Sequence, residues 1–286
     1  MKLTEVFDKK KPGLSFEVFP PKSDGDWQTV ETAVMEIAAL SPSFMSVTCG
    51  AGGSQGGYTV ELAEKIQRRL SVTPIAHMTC IGSDRQRLST RLSELKSANI
   101  ENILALRGDI PKQGRGEDCF QFAYELVEFI KSEGDFCVGG ACYPEGHPES
   151  ENQRRDIEML KLKVDAGCSF LTTQMFFDNN ILYNFLYKIR EAGISVPVVA
   201  GIMPVTNARQ IKRIIELSGT SLPRRFVSII DRFGSDTAAM RQAGIAHAMG
   251  QIVDLFANGV NCVHVYTMNK PDVAAAIIQG LSEIIK

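Results

Sequence analysis

Two kinds of segment alternate along this chain. Short stretches rich in β-branched and aromatic residues are typical of buried strands, and longer stretches with apolar residues three and four positions apart are typical of amphipathic helices. The predicted strands are Leu14–Pro20, Phe44–Gly50, Thr73–Cys80, Asn102–Gly108, Phe136–Pro144, Phe170–Phe177, Val196–Val205 and Cys262–Asn269. The predicted helices are Trp27–Leu40, Thr59–Leu70, Asp84–Ala98, Glu117–Ser132, Asn152–Ala166, Ile181–Glu191, Ala208–Leu217 and Asp236–Asn258, with a last helix from about Pro271. The pattern therefore predicts eight successive strand–helix units.

This order predicts parallel strands joined by crossover helices. Eight such units can close into a (β/α)8 TIM barrel, and the wide gap before the eighth strand leaves room for an extra helix near Leu222–Asp231. The alternative is an open, doubly wound sheet. Since no linker rich in Pro, Gly or Ser divides the chain, we predict an α/β fold with a single barrel domain over residues 1–286.

Composition narrows the class of protein. The chain has 286 residues, of which 44% are hydrophobic and 22% charged, enough for a large core without disulfides. Its 31 Lys and Arg nearly balance its 33 Asp and Glu, which argues against a nucleic-acid partner. No apolar run approaches the roughly 20 residues of a membrane helix. The charged start, Met1 to Gly13, lacks the apolar segment of a signal peptide.

Cysteines and histidines give no metal or disulfide pattern. The seven cysteines are scattered and form no CxxC pair, so we expect reduced thiols in a cytoplasmic protein. The four histidines show neither HxH nor HExxH spacing, so no zinc site is predicted.

Polar side chains recur where the predicted strands end. Side chains alternate across a strand, so positions two apart share one face of the barrel. The polar positions that share a face or follow a strand are Ser15, Glu17, Ser46, Thr48, His77, Thr79, Arg107, Asp109, Thr172, Gln174, His264 and Tyr266. A barrel without function would carry branched apolar residues there. This set therefore predicts a substrate pocket at the mouth of the barrel.

Glu17 and Asp109 are the acids best placed for chemistry. Glu17 lies within Leu-Ser-Phe-Glu-Val-Phe-Pro-Pro, whose bulk would exclude water. Desolvation raises the pKa of a carboxyl, so Glu17 is either a general acid or, on an exposed strand, a solvated side chain. Asp109 is either a fixed negative charge at the mouth, or a turn residue or partner of Arg107.

A glycine-rich run, Gly50-Ala51-Gly52-Gly53-Ser54-Gln55-Gly56-Gly57, follows the second predicted strand. Gln55 occupies the third glycine position of a dinucleotide fingerprint, so the register of a Rossmann turn fails. A flexible loop fits better, and its glycines permit close backbone contact with a cofactor.

Eight strand-end motifs together resemble the methylenetetrahydrofolate reductase family, from about Leu14 to Asn269. They are Phe16-Glu17-Val18-Phe19-Pro20-Pro21, Val47-Thr48-Cys49-Gly50-Ala51-Gly52, His77-Met78-Thr79-Cys80, Ala105-Leu106-Arg107-Gly108-Asp109, Tyr143-Pro144-Glu145-Gly146-His147-Pro148, Thr173-Gln174-Met175-Phe176-Phe177-Asp178, Gly201-Ile202-Met203-Pro204 and His264-Val265-Tyr266-Thr267-Met268-Asn269. Only the catalytic barrel of the family is matched, without the regulatory domain of its longer eukaryotic members.

The resemblance implies a flavoprotein that uses FAD and either NADH or NADPH. It would reduce 5,10-methylenetetrahydrofolate to 5-methyltetrahydrofolate by ping-pong hydride transfer, supplying methyl groups for methionine synthesis or one-carbon metabolism. The family also implies a homo-oligomer, and leaves open whether a second subunit is needed.

The resemblance also assigns residues. Glu17 would be the proton donor, Asp109 would stabilise the cationic folate, and Thr48 would lie beside the nicotinamide. Folate contacts are assigned to Asp109, Gln174, Gln210 and Lys270. FAD contacts are assigned to Cys49, Ala51, His77, Arg107, Gly108, Asp109, Ala123, Tyr143, His147, Ser150, Asp156 and Lys163, with Met159 and Leu162 where some relatives place polar residues near the FAD tail.

Three alternatives to a folate-reducing flavoenzyme stay open at this point. Proline dehydrogenase is a flavin-dependent alternative with a related barrel, although the Phe-Glu-Val-Phe-Pro-Pro start argues against it. A flavin-free lyase or aldolase would be colourless, and a Schiff-base enzyme would need a lysine inside a strand, which no predicted strand has. A non-catalytic subunit would be expected to lose Glu17 or Asp109, and both are present.

Overall fold

Eight parallel strands close into a barrel in sequence order, β1 to β8. The computed structural model describes residues 1–7, 11–49, 57–110 and 120–286, and only the backbone at positions 57, 210, 212, 213, 216 and 217. The strands are β1 (Gly13–Val18), β2 (Met45–Val47), β3 (Pro74–Thr79), β4 (Asn102–Leu106), β5 (Cys137–Cys142), β6 (Phe170–Thr173), β7 (Val198–Ile202) and β8 (Cys262–Tyr266). Pairing of Ser15 with His264 and of Glu17 with Tyr266 closes β1 on β8. The TIM-barrel prediction is confirmed, and the open sheet is excluded.

Helices cover the outside of the barrel. They are α1 (Leu3–Phe7), α2 (Trp27–Ala38), α3 (Gly57–Leu70), α4 (Arg85–Ser97), α5 (Ala123–Glu133), α6 (Gln153–Asp165), α7 (Asn179–Glu191), α8 (Ile211–Ser218), α9 (Arg224–Phe233), α10 (Thr237–Ala257) and α11 (Pro271–Gly280). The extra helix predicted near Leu222–Asp231 is α9. Of the helices in the described ranges, none has the length and apolar character to cross a bilayer.

Two helices differ from the prediction. Helix α5 begins at Ala123, where the Glu125 carboxylate caps it by accepting hydrogen bonds from the backbone N–H groups of Gln121 and Phe122; the predicted start, Glu117, lies outside the described residues. Helix α1 was not predicted, since five residues are too few to show a helical period.

Helix α1 closes the N-terminal end of the barrel. The Leu3 side chain is fully buried, and the Phe7 ring lies 6.3 Å from that of Phe44 and 5.4 Å from that of Phe170. These side chains belong to one apolar cluster with Ile75, Leu104, Cys137 and Val199, which face inward from the strands. A hydrophobic plug therefore fills the bottom of the barrel, and the large cavity opens at the opposite end.

All six cysteines in the described ranges are free thiols; the seventh, Cys119, lies outside them. Burial raises the pKa of the Cys142 and Cys168 thiols to about 12, which keeps both protonated and unreactive at neutral pH.

Candidate active site

A cavity of about 1670 Å³ opens at the C-terminal ends of the strands. Fourteen of the candidate site residues line it: Thr48, Cys49, His77, Arg107, Gly108, Asp109, Ala123, Tyr143, His147, Ser150, Asp156, Met159, Lys163 and Gln174. They come from strand ends and helices between β2 and β6, so the barrel brings together residues more than 100 positions apart. Two candidates, Ala51 and the side chain of Gln210, lie outside the described residues.

The polar ring predicted at the mouth separates into two levels. Ser15, Ser46 and His264 are almost completely buried and bond to one another: the Ser15 and Ser46 hydroxyls lie 2.8 Å from Nδ1 and Nε2 of His264, respectively. Ser15 also donates to the carbonyl of Val263, so its oxygen accepts from Nδ1–H, and Nε2 accepts from Ser46. His264 is therefore neutral, in agreement with a pKa that burial lowers to about 3. This level is structural, because none of its three side chains lines the cavity.

Glu17 lies one step nearer the mouth than Ser15. Its side chain keeps only 14% of its surface exposed, and desolvation raises its pKa to about 8. At neutral pH most molecules therefore carry a protonated Glu17, which can donate a proton. The sequence-based expectation of a dry carboxyl agrees with this geometry, since Phe16 and Val18 on either side are fully buried in the layer between strands and helices.

His77 lines the cavity and lies across from Glu17, whose own side chain is not among the lining residues. Its Nε2 is 3.9 Å from the nearer Glu17 oxygen, too far for a hydrogen bond. Burial lowers the pKa of His77 to about 3, so the ring is neutral. Its buried Nε2 has no hydrogen-bond partner among the described residues. An unpaired buried nitrogen costs free energy, so this atom indicates a ligand group that would form a hydrogen bond with it.

Tyr266 borders Glu17 on the other side. The two residues pair across β1 and β8, and the Tyr266 hydroxyl donates to the carbonyl of Thr173 at 2.5 Å. A Cβ on Gly201 would lie 2.4 Å from that hydroxyl, so only glycine leaves room for the phenol to span the barrel. The ring thus helps to keep water from Glu17.

Arg107 is held by Glu149, an acid that the sequence analysis did not single out. Its two terminal nitrogens bond the two carboxylate oxygens at 2.6 and 2.7 Å, a bidentate pair. Arg107 pairs with Glu149 and not with the exposed Asp109, so the interpretation of Asp109 as a partner of Arg107 is wrong. Asp109 instead offers its charge to the cavity that it lines. Only its position next to His147 and Ser150 could have indicated Glu149 from sequence.

The loop after β5 folds onto the start of α6. The rings of Tyr143 and His147 meet edge to face at 4.6 Å, and the Asp156 carboxylate accepts from the His147 backbone N–H and the Ser150 hydroxyl. Burial raises the pKa of Asp156 and lowers that of His147. These contacts bring four of the predicted cofactor residues into one wall of the cavity.

Helix α6 presents one face to the cavity, with Asp156, Met159, Leu160 and Lys163 spaced three and four apart. Lys163 donates to the carbonyl of Ala141 at 2.6 Å, and burial lowers its pKa. Leu162 lies on another face, is 47% exposed and does not line the cavity, so the structure does not place it where the sequence analysis expected. The helical period explains this difference, because adjacent residues point about 100° apart.

Two residues predicted to bind folate, Gln174 and Lys270, lie at different sides of the mouth. The backbone N–H of Gln174 extends β6 by donating to Cys142, and its side-chain amide accepts from the Met175 N–H while facing the cavity. Lys270 precedes α11, and its ammonium donates to Thr206 at 2.8 Å, outside the residues that line the cavity. Gln174 therefore has direct access to the cavity, whereas Lys270 belongs to its rim above β7 and β8.

Comparison with known proteins gives a consistent family. The family described as "Methylenetetrahydrofolate reductase" matches residues 2–282. The chain is 33% identical over 269 residues to 5,10-methylenetetrahydrofolate reductase of Escherichia coli (strain K12), covering 94% of this chain and 90% of that protein. It is also 33% identical over 298 residues to methylenetetrahydrofolate reductase (NADH) 1 of Zea mays. The chain spans half the length of that plant relative, and that match covers 99% of this chain.

A solved structure supports the fold. An uncharacterised protein from Clostridium thermocellum, described as binding two copies of 5-methyl-5,6,7,8-tetrahydrofolic acid, superposes with a TM-score of 0.74 over 99% of this chain and all of its own. The two sequences are 11% identical, so this likeness concerns the barrel architecture alone.

Proposed function

Because the chain belongs to the methylenetetrahydrofolate reductase family, we propose that it reduces 5,10-methylenetetrahydrofolate to 5-methyltetrahydrofolate, with FAD as cofactor and NADH or NADPH as reductant. The observation that carries the proposal is the buried Glu17 carboxyl at the end of β1, 3.9 Å from Nε2 of the cavity-lining His77 and held protonated near neutral pH by burial. The two substrates would use the site in turn, in a ping-pong sequence. The barrel of residues 1–286 would form one catalytic domain, within a homo-oligomer.

The residues present fit a flavin. The cavity is large enough for a dinucleotide, since small-molecule pockets commonly span roughly 300–1,000 Å³. His77 offers a buried, unpartnered Nε2, and Gly108, with φ of +88°, keeps side-chain bulk from the cavity where β4 ends. Thr48, Cys49, Arg107, Tyr143, His147, Ser150, Asp156 and Lys163 would complete its envelope. When bound, the flavin supplies transfer of a hydride from the reduced nicotinamide to the folate carbon.

Glu17 would supply the proton that opens the folate. The methylene carbon bridges two nitrogens, and breaking its bond to N10 leaves an electron pair on that nitrogen and an iminium cation at N5. Glu17 would protonate N10, directly or through water, and would itself become a carboxylate. The Asp109 charge, which faces the cavity, would stabilise the cation. The iminium carbon would then accept the hydride.

Folate recognition would use polar groups at the mouth. The Gln174 amide, which lines the cavity, would bond the pterin edge, and Lys270 at the rim would attract the negatively charged glutamate tail. The Clostridium protein of the same architecture is described as binding a methylated tetrahydrofolate, which supports a folate at such a mouth. The family match also favours folate over the proline dehydrogenase alternative.

The cofactor is tested first. Protein purified and then reconstituted with FAD is expected to be yellow and to release FAD on denaturation. Anaerobic mixing with NADH or NADPH separately should bleach the flavin and identify the reductant. Protein that stays colourless after reconstitution, with added flavin that neither nucleotide reduces, would contradict the proposal and favour a flavin-free enzyme.

The role of Glu17 is tested by separating the half-reactions. Glu17→Gln removes the proton and keeps the shape, so we expect flavin reduction by nicotinamide within about twofold of wild type and folate reduction slower by about 10²- to 10⁴-fold. Stopped-flow absorbance of the flavin measures both. Asn99→Gly, at the opposite end of the barrel, is the control. Equal losses in both half-reactions would remove Glu17 from the proton-donor role.

A further inference from the structure

We propose that Asn269 and Thr267, in the loop after β8, are positioning residues that aim the Glu17 carboxyl at the substrate. The inference rests on the proposed function, in which Glu17 donates the proton. Neither side chain lines the cavity, so both would act through the backbone of β1.

Asn269 holds the chain just beyond Glu17 with two hydrogen bonds. Its Oδ1 accepts from the backbone N–H of Phe19 at 2.8 Å, and its Nδ2 donates to the carbonyl of the same residue at 2.9 Å. One amide side chain thus satisfies both polar groups of one residue, as a neighbouring strand would. Because β1 ends at Val18 and β8 at Tyr266, this contact extends their pairing past the end of the ladder.

Thr267 holds Glu17 itself. Its buried hydroxyl donates to the Glu17 carbonyl at 2.9 Å. Lys270 anchors the far end of the same loop to Thr206. Met268 and Asn269 adopt left-handed backbone conformations, with φ of +55° and +53°, a turn that returns the loop towards β1.

The Glu17 carboxyl depends on this support because its own end is not held. In the described part of the chain its oxygens make no hydrogen bond, and the nearest charged or titratable neighbours are His77, at 3.9 Å, and the paired Tyr266. Its direction is therefore set by its backbone and by packing. Proton transfer needs the carboxyl within hydrogen-bond reach of the accepting nitrogen, so a shift of about 1 Å is expected to slow that step by up to about 10²-fold.

Two pairs of variants test this. Asn269→Gly removes the amide and suits the left-handed backbone; Asn99→Gly is its matched control, since Asn99 is also left-handed (φ +56°) but exposed and far from the site. Thr267→Val removes the hydroxyl at nearly constant shape, and Thr267→Ser restores it. We expect Asn269→Gly and Thr267→Val to slow folate reduction about tenfold or more, with flavin reduction by nicotinamide within about twofold. Thr267→Ser and Asn99→Gly should match wild type.

A second readout needs no turnover. Infrared difference spectra between each variant and its Glu17→Gln derivative isolate the C=O stretch of protonated Glu17 and follow its pKa. We expect a pKa below the value of about 8 in Asn269→Gly and Thr267→Val, because a displaced carboxyl reaches more water. A purely structural role would lower the unfolding temperature and leave this titration unchanged.

The outcomes distinguish failure of the proposed function from failure of the positioning role of Asn269 and Thr267. If wild type does not reduce the folate, the proposed function fails, and the infrared titration alone judges the inference. If wild type is active and the folded variants keep both the folate half-reaction and the pKa of Glu17, the inference is overturned. Should Asn269→Gly not fold, the Thr267 pair decides.

Discussion

Glu17 lowers the stability of the folded chain at neutral pH. Its pKa is raised from 4.5 to about 8, so the folded protein retains a proton that the unfolded chain has lost. The contribution of Glu17 to the free energy of unfolding therefore falls as pH rises from 4.5 to 8, by on the order of 3 kcal/mol at pH 7. A buried acid kept for chemistry is thus expected to be a cost to the fold.

The substitution Glu17→Gln is expected to stabilise the protein, because a neutral amide has no proton to lose. We expect the gain to be on the order of 3 kcal/mol at pH 7 and to vanish near pH 4, as measured by urea denaturation at both pH values. A gain that is equal at the two pH values would mean that the carboxyl is not desolvated.

Single residues differ in how far sequence could predict them. The dry environment of Glu17 followed from its apolar neighbours along the strand, which are local information. The Arg107–Glu149 pair and the Asn269–Phe19 contact join residues 42 and 250 positions apart, and no local pattern indicates which partner a charge or amide will meet. The Leu162 expectation failed for a local reason, the rotation of one helical step.

At the scale of elements, β5 and β6 pack closely because Gly139 on β5 has no side chain. A Cβ on Gly139 would lie 2.2 Å from the tip of the fully buried Phe170 ring. Gly139→Ala is expected to lower the free energy of unfolding by roughly 1–3 kcal/mol through overpacking. Adding Phe170→Leu, which shortens the opposing side chain, should recover part of the loss in denaturant melts. Additive losses in the double variant would contradict this explanation.

Helix α1 stabilises the barrel without contributing to the site. Leu3→Ala is expected to cost about 3 kcal/mol of unfolding free energy, because the side chain is completely buried in the plug. Flavin binding by the folded variant, measured by fluorescence titration, should equal that of wild type, since the cavity lies at the other end. Glu36→Ala, at an exposed position of α2, is the control and should change stability by less than about 0.5 kcal/mol.

The order of strands and helices could be predicted from the sequence, whereas the residues at which the strands end were predicted less well. All eight strands lie inside their predicted segments or within one residue of them, because buried parallel strands read as apolar runs. The predicted segments ran too far at the mouth, as with Phe170–Phe177 against the observed Phe170–Thr173. Phe176 and Phe177 continue the apolar run, yet they are buried beyond the end of the strand, Phe176 in the main core and Phe177 against Phe226 of α9. Periodicity alone cannot separate these two kinds of burial.

For the whole molecule, the buried titratable groups predict a stability maximum near pH 6.5. Burial lowers the pKa of His77 and His264 to about 3, so the unfolded chain binds protons first on acidification, and each histidine costs on the order of 2 kcal/mol at pH 5. His147 and His247 act in the same direction. Glu17 produces the decline on the alkaline side, up to about pH 8.

Denaturation across pH checks this curve. Wild type is expected to lose stability on both sides of the maximum, whereas Glu17→Gln should keep the acid limb and lose the decline between about pH 6.5 and 8. A wild-type curve that rises steadily to pH 8 would contradict the assignment.

The neutral His264 level beneath Glu17 also bears on how that carboxyl would regain its proton under the proposed function. Both ring nitrogens of His264 are engaged by serine hydroxyls, and below them the described side chains of the plug are apolar and relay no proton. A Glu17 carboxylate left after proton donation would therefore be reprotonated from the solvent side, through the mouth that would also admit the folate. A ligand bound in that mouth would block this route, so we expect product to leave before the next proton is taken up.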